Sequence, residues 1–105
     1  MKIVTINGAE IKDEGTFHQV FALSFGFPSF YGNNLNAWID CMSDLEMTSF
    51  EANSNEIIII NIQNAEKFKE QSGELWIAFL ECVAFVNWRQ MESSKPAFLA
   101  VSAHA

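Results

Sequence analysis

Apolar residues follow two different periods along this chain. Lys2–Ile6 is a short β-branched run closed by Asn7-Gly8, which predicts a strand ending in a turn. Farther on, Phe17, Val20, Phe21, Ser24 and Phe25 recur at helical spacing; Asp13 is placed to cap this helix, and Gly26 with Pro28 stops it. Phe27-Pro28-Ser29-Phe30-Tyr31-Gly32-Asn33 mixes aromatics with turn formers and reads as a loop. Asn34 is a good N-cap for a second helix over about Leu35–Leu45. Residues 46–55 hold Thr, Ser, Asn and acids, a loop composition. Glu56–Ile62 carries four consecutive Ile, the pattern of a strand buried on both faces. Asn64–Gln71 suits a short helix. Ser72-Gly73 opens a long one over about Glu74–Met91, Ser93–Pro96 breaks it, and Ala97–Ser102 forms a last strand. The order β-α-α-β-α-α-β predicts an α/β fold whose parallel strands are joined by right-handed helical crossovers.

Composition narrows the function. The chain has 105 residues, 50% hydrophobic and 18% charged, with no repeat, low-complexity tract or linker, which suits a single domain over 1–105. Thirteen Asp and Glu face six Lys and Arg, a net charge of -7. Such a chain is a poor ligand for phosphate backbones, which demand clustered cations, and is better matched to a basic protein. The two cysteines, Cys41 and Cys82, are too few for a disulfide framework and read as buried free thiols in a reducing compartment. Met1-Lys2 runs directly into Ile3-Val4-Thr5-Ile6, too short an apolar run for a signal peptide. The most apolar stretch, Leu75–Val86, is interrupted by Glu81 and falls short of the ~20 residues of a membrane span. A cytoplasmic monomer without nucleic-acid or membrane contacts is expected. No metal spacing, phosphate-cradling glycine loop or recognisable triad context is present, so neither a cofactor nor catalysis is expected. His18 reads as a helix packing or surface residue and His104 as part of the tail.

The placement of charge says more than its total. Between Lys12 and Lys67 there is no Lys or Arg, while eight carboxylates fall in the interval: Asp13, Glu14, Asp40, Asp44, Glu46, Glu51, Glu56 and Glu66. They describe either a solvated acidic surface or a docking face for a basic protein. On the second helix, Leu35, Trp38, Ile39, Met42 and Leu45 share one side; Asn33, Asn36, Asp40, Ser43 and Asp44 share another. Like charges at Asp40 and Asp44 mildly disfavour a helix, a cost that a cationic partner would reverse. On the long helix, Trp76, Phe79, Val83 and Val86 form a core face. Glu81 points away from it among Ile77, Ala78, Phe85 and Trp88, as in an interface with a charged centre, a greasy solvent face, or a helix buried on both sides.

The run Tyr31-Gly32-Asn33-Asn34-Leu35-Asn36-Ala37-Trp38-Ile39-Asp40-Cys41 resembles the barstar family of intracellular inhibitors of barnase-type ribonucleases, whose pattern there is roughly Tyr-Gly-x-Asn-Leu-Asp-Ala-x-x-Asp-Cys. Asn7-Gly8 after the first strand, His18-Gln19 in the first helix and Phe79-Leu80-Glu81 in the long helix match the family as well. The element order agrees over essentially the whole chain, although the central motif carries most of the specificity. The resemblance implies a three-stranded parallel sheet packed with about four helices. It also implies a stoichiometric, bacterial-type inhibitor that plugs a basic ribonuclease with its second helix and the loop before it. By position, Asp40 would replace an RNA phosphate among the enzyme's cations and Glu81 would meet a second basic group. Phe30, Gly32, Asn34, Leu35, Asn36 and Ile39 fall at or beside the family's contact positions, with Tyr31 helping to shape the plug and Ser43, Asp44 and Leu45 extending the surface.

The departures from the pattern are specific. Asn36 stands where the family usually has Asp, Phe30 where it has Tyr, Ile39 where it has Trp, and Leu45 where it has another aromatic. The segment from Glu46 to Asn55 is longer. These changes bear on the identity of the target more than on the inhibitor role, and they keep open an alternative: a barstar-like immunity or docking module for a different basic partner, such as a non-barnase toxin.

Overall fold

A computed structural model describes residues 1–105. Three strands, β1 (Lys2–Asn7), β2 (Ile58–Gln63) and β3 (Leu99–Ala103), form one parallel sheet in the order β1-β2-β3. Helices α1 (Glu14–Phe25) and α2 (Leu35–Ser43) lie in the first crossover, and α3 (Ala65–Gln71) and α4 (Gly73–Glu92) in the second. Two crossovers of the same hand, stepping across the sheet in one direction, place every helix on one face. The burial pattern agrees. Ile58, Ile60 and Ile62 are shut into the core with Ile6 and Leu99, whereas Ile3 on the opposite side is 61% exposed.

The four-Ile run therefore differs from a strand buried on both faces. Ile59 is half-buried and Ile57 lies exposed before the strand begins. In register, Ile3, Ile59 and Ala100 form one row on the uncovered face, and Thr5, Asn61 and Ser102 the next, with Asn61 Nδ2 donating to Thr5 Oγ1 at 3.3 Å. That face is served by one short apolar row and one polar row, which is why the sheet tolerates water there.

The core is aromatic. Phe17, Phe21 and Phe25 repeat every fourth residue of α1 and are fully buried with Trp38, Phe68 and Phe79. Local signals set the helix ends. The Asp13 carboxylate accepts the Thr16 N–H at 2.9 Å, and Thr16 Oγ1 accepts the Asp13 N–H at 3.1 Å, a complete capping box. The Thr16 N–H, the largest influence on the Asp13 carboxyl, holds it below its ordinary range. Gly26 ends α1 in the left-handed region at φ 62°, the conformation a glycine takes most cheaply. No helix is long and apolar enough to cross a membrane.

Asn7-Gly8 is more than a turn. The backbone here enters a 3-10 turn over Gly8–Glu10, with Asn7 capping the Ala9 N–H at 3.0 Å. A Cβ on Gly8 would stand 2.7 Å from the Asn64 carbonyl oxygen and 2.9 Å from that of Gln63, both backbone atoms at the end of β2. Gly8→Ala is thus expected to force β1 and β2 apart locally and to cost ~1–3 kcal/mol. Urea unfolding would register this as a lower midpoint at an unchanged slope.

Candidate partner-binding surface

The second helix is seated by its apolar side. Trp38, Cys41 and Met42 are buried, and Leu35 and Ile39 pack against the core from its edge. Asn34 starts it as expected, accepting the Ala37 N–H at 2.8 Å, while its amide donates to the Gly32 carbonyl at 3.3 Å. The helix stops at Ser43, two residues before the predicted end. Asp44 leaves helical geometry (φ -138°, ψ 74°) with its N–H shared between the Asp40 and Cys41 carbonyls, and Leu45–Met47 form a 3-10 turn. Leu45 continues the apolar period and packs half-buried on the core, so periodicity alone could not reveal the break. Phe50 in the following loop packs on Phe25, 5.0 Å between ring centres, and the Ser49 N–H reaches the Gly26 carbonyl at 2.9 Å.

The loop before α2 is held from below. Tyr31 packs against Phe27 with tilted rings, 4.7 Å between centres, and its hydroxyl bonds to Nδ1 of His18. His18 is 1% exposed, so the sequence expectation of a packing or surface residue resolves to packing, with both ring nitrogens engaged. Its Nε2 meets the Glu14 carboxylate one turn earlier, at 3.1 Å. A carboxylate on Nε2 favours the tautomer that donates there, leaving Nδ1 to accept from the Tyr31 hydroxyl. Burial, with Cys41 and Glu14 nearby, pushes the Tyr31 phenol above its ordinary range and keeps that proton in place. Tyr31→Phe should strand a buried imidazole acceptor and cost ~1–3 kcal/mol in chemical denaturation. A loss below about 0.5 kcal/mol, inside the usual span of surface substitutions, would show that the bond contributes nothing.

The outward side of the helix is polar. Asn36, Asp40 and Asp44 are exposed, four residues apart in turn. The packing of α4 against α2 adds a neighbour that the spacing along the chain does not show. Arg89, on the last turn of α4, donates from Nη1 to Asp40 Oδ1 at 3.3 Å. Glu81 is exposed on α4 beside Ile77 (58% exposed), Phe85 (41%) and Trp88 (52%). Of the three readings of this face, a helix buried on both sides is excluded. Cys41 and Cys82 are buried and unpaired. Burial first, then the neighbouring carboxylates Asp40 and Asp44 for Cys41 and Glu81 for Cys82, raises both thiols and keeps them poor nucleophiles. No group of three or more His, Cys, Asp or Glu side chains could hold a metal ion.

The family model described as barstar (barnase inhibitor) matches residues 1–101. The chain belongs to the barstar family. No curated protein matches it. Members of this family are inhibitors rather than enzymes, and the barstar motif falls on the segment whose geometry is given above. Of the motif and its neighbours, Phe30, Gly32, Asn34, Asn36, Asp40, Asp44 and Glu81 are exposed. Tyr31, Leu35, Ile39, Ser43 and Leu45 are half-buried, and the Ser43 hydroxyl is shielded without a hydrogen-bond partner. The exposed members spread over the loop, α2 and α4. Asn34 is exposed but already occupied, since its side chain serves as the helix cap. Two elements of this candidate surface escape a linear reading. Arg89 meets Asp40 across 49 positions of chain, and His18 anchors the loop through Tyr31; the Glu14–His18 spacing of four was the only local sign of the latter.

Proposed function

We propose that this barstar-family chain acts as one unit over 1–105 that inhibits a basic ribonuclease stoichiometrically by blocking its active site. One observation carries the reading. Asp40 sits at the family's acidic motif position and projects from the exposed side of a helix that Asn34 caps and Trp38 anchors. A carboxylate held on a rigid element can stand in for a phosphate without the cost of ordering it on binding. Asn36 and Asp44 flank it along the helix, Glu81 would contact a second basic group, and Gly32 would allow close backbone approach. Phe30, 76% exposed, is the loop aromatic free to enter a partner's groove. The half-buried Tyr31, Leu35, Ile39, Ser43 and Leu45 would shape the edge of the plug. The acidic chain would be drawn to a cationic enzyme faster at low salt. Titrating the purified protein into barnase while following RNA cleavage tests this. A linear fall in activity ending at one inhibitor per enzyme is expected; undiminished cleavage at excess inhibitor would overturn it for barnase.

A second reading is favoured by two local features. Asn36 removes one carboxylate from the contact helix, and Arg89 neutralises another. A target carrying fewer cations than a barnase-type site would fit that reduced charge, which corresponds to an immunity or docking role toward a different basic protein. A pull-down that returns a basic protein with no ribonuclease activity would support this reading against the first.

A further inference from the structure

We infer that Arg89 is a specificity-determining residue of the proposed interface: it holds the Asp40 carboxylate in the free protein and competes for it with the cations of the target. The inference rests on the inhibitor reading and adds a selectivity that the family pattern does not contain. Arg89 is the only Arg in the chain. Its guanidinium lies over the Phe85 ring, 5.1 Å from the centroid, and 3.3 Å from Asp40. These two contacts settle the side chain on the seam between α4 and α2, and the C-terminal end of α4 favours a cation there. Asp40 is the only carboxylate paired with Arg89, and the remaining side-chain ion pairs of the chain lie away from this seam, at Glu14–His18, Lys67–Glu70 and Lys69–Glu66.

A cationic site approaching Asp40 meets a guanidinium already in place. Either Arg89 swings aside, giving up Phe85 and Asp40, or it stays and faces like charges as water is excluded. Both routes penalise a site lined with cations alone. A site whose cations are flanked by a carboxylate escapes the penalty, because Arg89 can transfer to that group. The partner class is therefore a basic protein with a mixed-charge cluster, and Arg89 discriminates within it.

Barnase serves as the probe, with inhibition constants measured for the wild type, Arg89→Met, Asp40→Ala and the double variant. Methionine keeps an apolar stem over Phe85. Lys67→Met, which removes an exposed cation on α3 away from the α2–α4 seam, controls for net charge. Arg89→Met is expected to tighten inhibition about tenfold, Lys67→Met by less than about twofold at physiological salt, where exposed charges beyond ~8 Å are screened. The Arg89→Met gain should shrink to the Lys67→Met level when Asp40 is also removed, because the competed group is gone. Unchanged or weaker inhibition by Arg89→Met, with Asp40→Ala inactive, would overturn the role of Arg89 and leave the inhibitor reading standing. Full inhibition by Asp40→Ala would overturn the role of Asp40 and this inference with it, while inhibition itself stands; no inhibition by any variant would overturn both the inhibitor reading and this inference for barnase.

Discussion

Asp40→Ala is expected to weaken inhibition of a barnase-type enzyme by a factor of roughly thirty to several thousand while leaving thermal stability unchanged. The binding loss follows from what the substitution would leave behind. Truncating one partner of a desolvated, hydrogen-bonded charge pair costs ~2–5 kcal/mol, a range to which barnase–barstar itself contributes, because the opposing cations stay buried without a counter-ion. In this chain part of that loss is offset, because without Asp40 binding no longer has to break its pair with Arg89. Asp40→Asn separates charge from shape, since it keeps the side chain's size. If charge is what the target reads, the asparagine variant should fall close to the alanine one. Stability is insulated because the Asp40 side chain is 67% exposed and its one ion pair is at the surface, where such pairs contribute ~0–1 kcal/mol. Inhibition curves and thermal melts on the same preparations check both halves. A variant that melts early as well as inhibiting poorly would point to a damaged helix rather than a lost contact.

Much of this arrangement was legible along the chain, and what was not has identifiable causes. Caps are local, so Asp13 and Asn34 marked the starts of α1 and α2 correctly. Gly26 and the 93–96 break marked ends for the same reason. The Asn-Leu-Asn-Ala-x-x-Asp-Cys part of the motif pointed to the family that the chain belongs to. The errors arose where packing overrode pattern. Leu45 keeps the helical period yet lies beyond the helix, because its place on the core is reached through a 3-10 turn. Four Ile in a row suggested a sheet covered on both sides, but composition cannot say on how many faces the helices fall; the strand order does that. Arg89 is the instructive omission. A gap in Lys and Arg from 13 to 66 suggested an acidic surface, and the tertiary fold brings a cation to it from residue 89. Charge patterning along a sequence describes a surface only where that surface is built from a single segment.

Trp38→Ala is expected to be the most damaging single truncation on α2, costing ~3–5 kcal/mol. Trp38 is fully buried, with ring centres of Phe21, Phe79 and Phe17 at 5.6, 6.0 and 6.3 Å. It joins α2 to both α1 and α4, so the cavity left by alanine opens at the junction of three helices. For a small domain with ~5–15 kcal/mol in all, that is a large fraction. At ~4–8 °C per kcal/mol, the melting temperature should fall by roughly 12 °C or more. Trp38→Phe separates volume from polarity. The indole Nε1–H is buried with no hydrogen-bond partner, a group whose presence is unfavourable by ~1–3 kcal/mol. Phenylalanine gives up part of the ring but also removes that unmet donor, so the two effects oppose and the variant should melt far closer to wild type than the alanine one. Trp38 and Asp40 are two positions apart, about 200° around the helix, so the tryptophan touches only the core side. Inhibition by Trp38→Phe should therefore match wild type below its melting temperature, whereas Trp38→Ala should inhibit only to the extent that α2 remains seated. If Trp38→Phe proves as unstable as Trp38→Ala, the indole N–H has found a partner, such as a buried water, and the core at this junction is wetter than its aromatic lining implies.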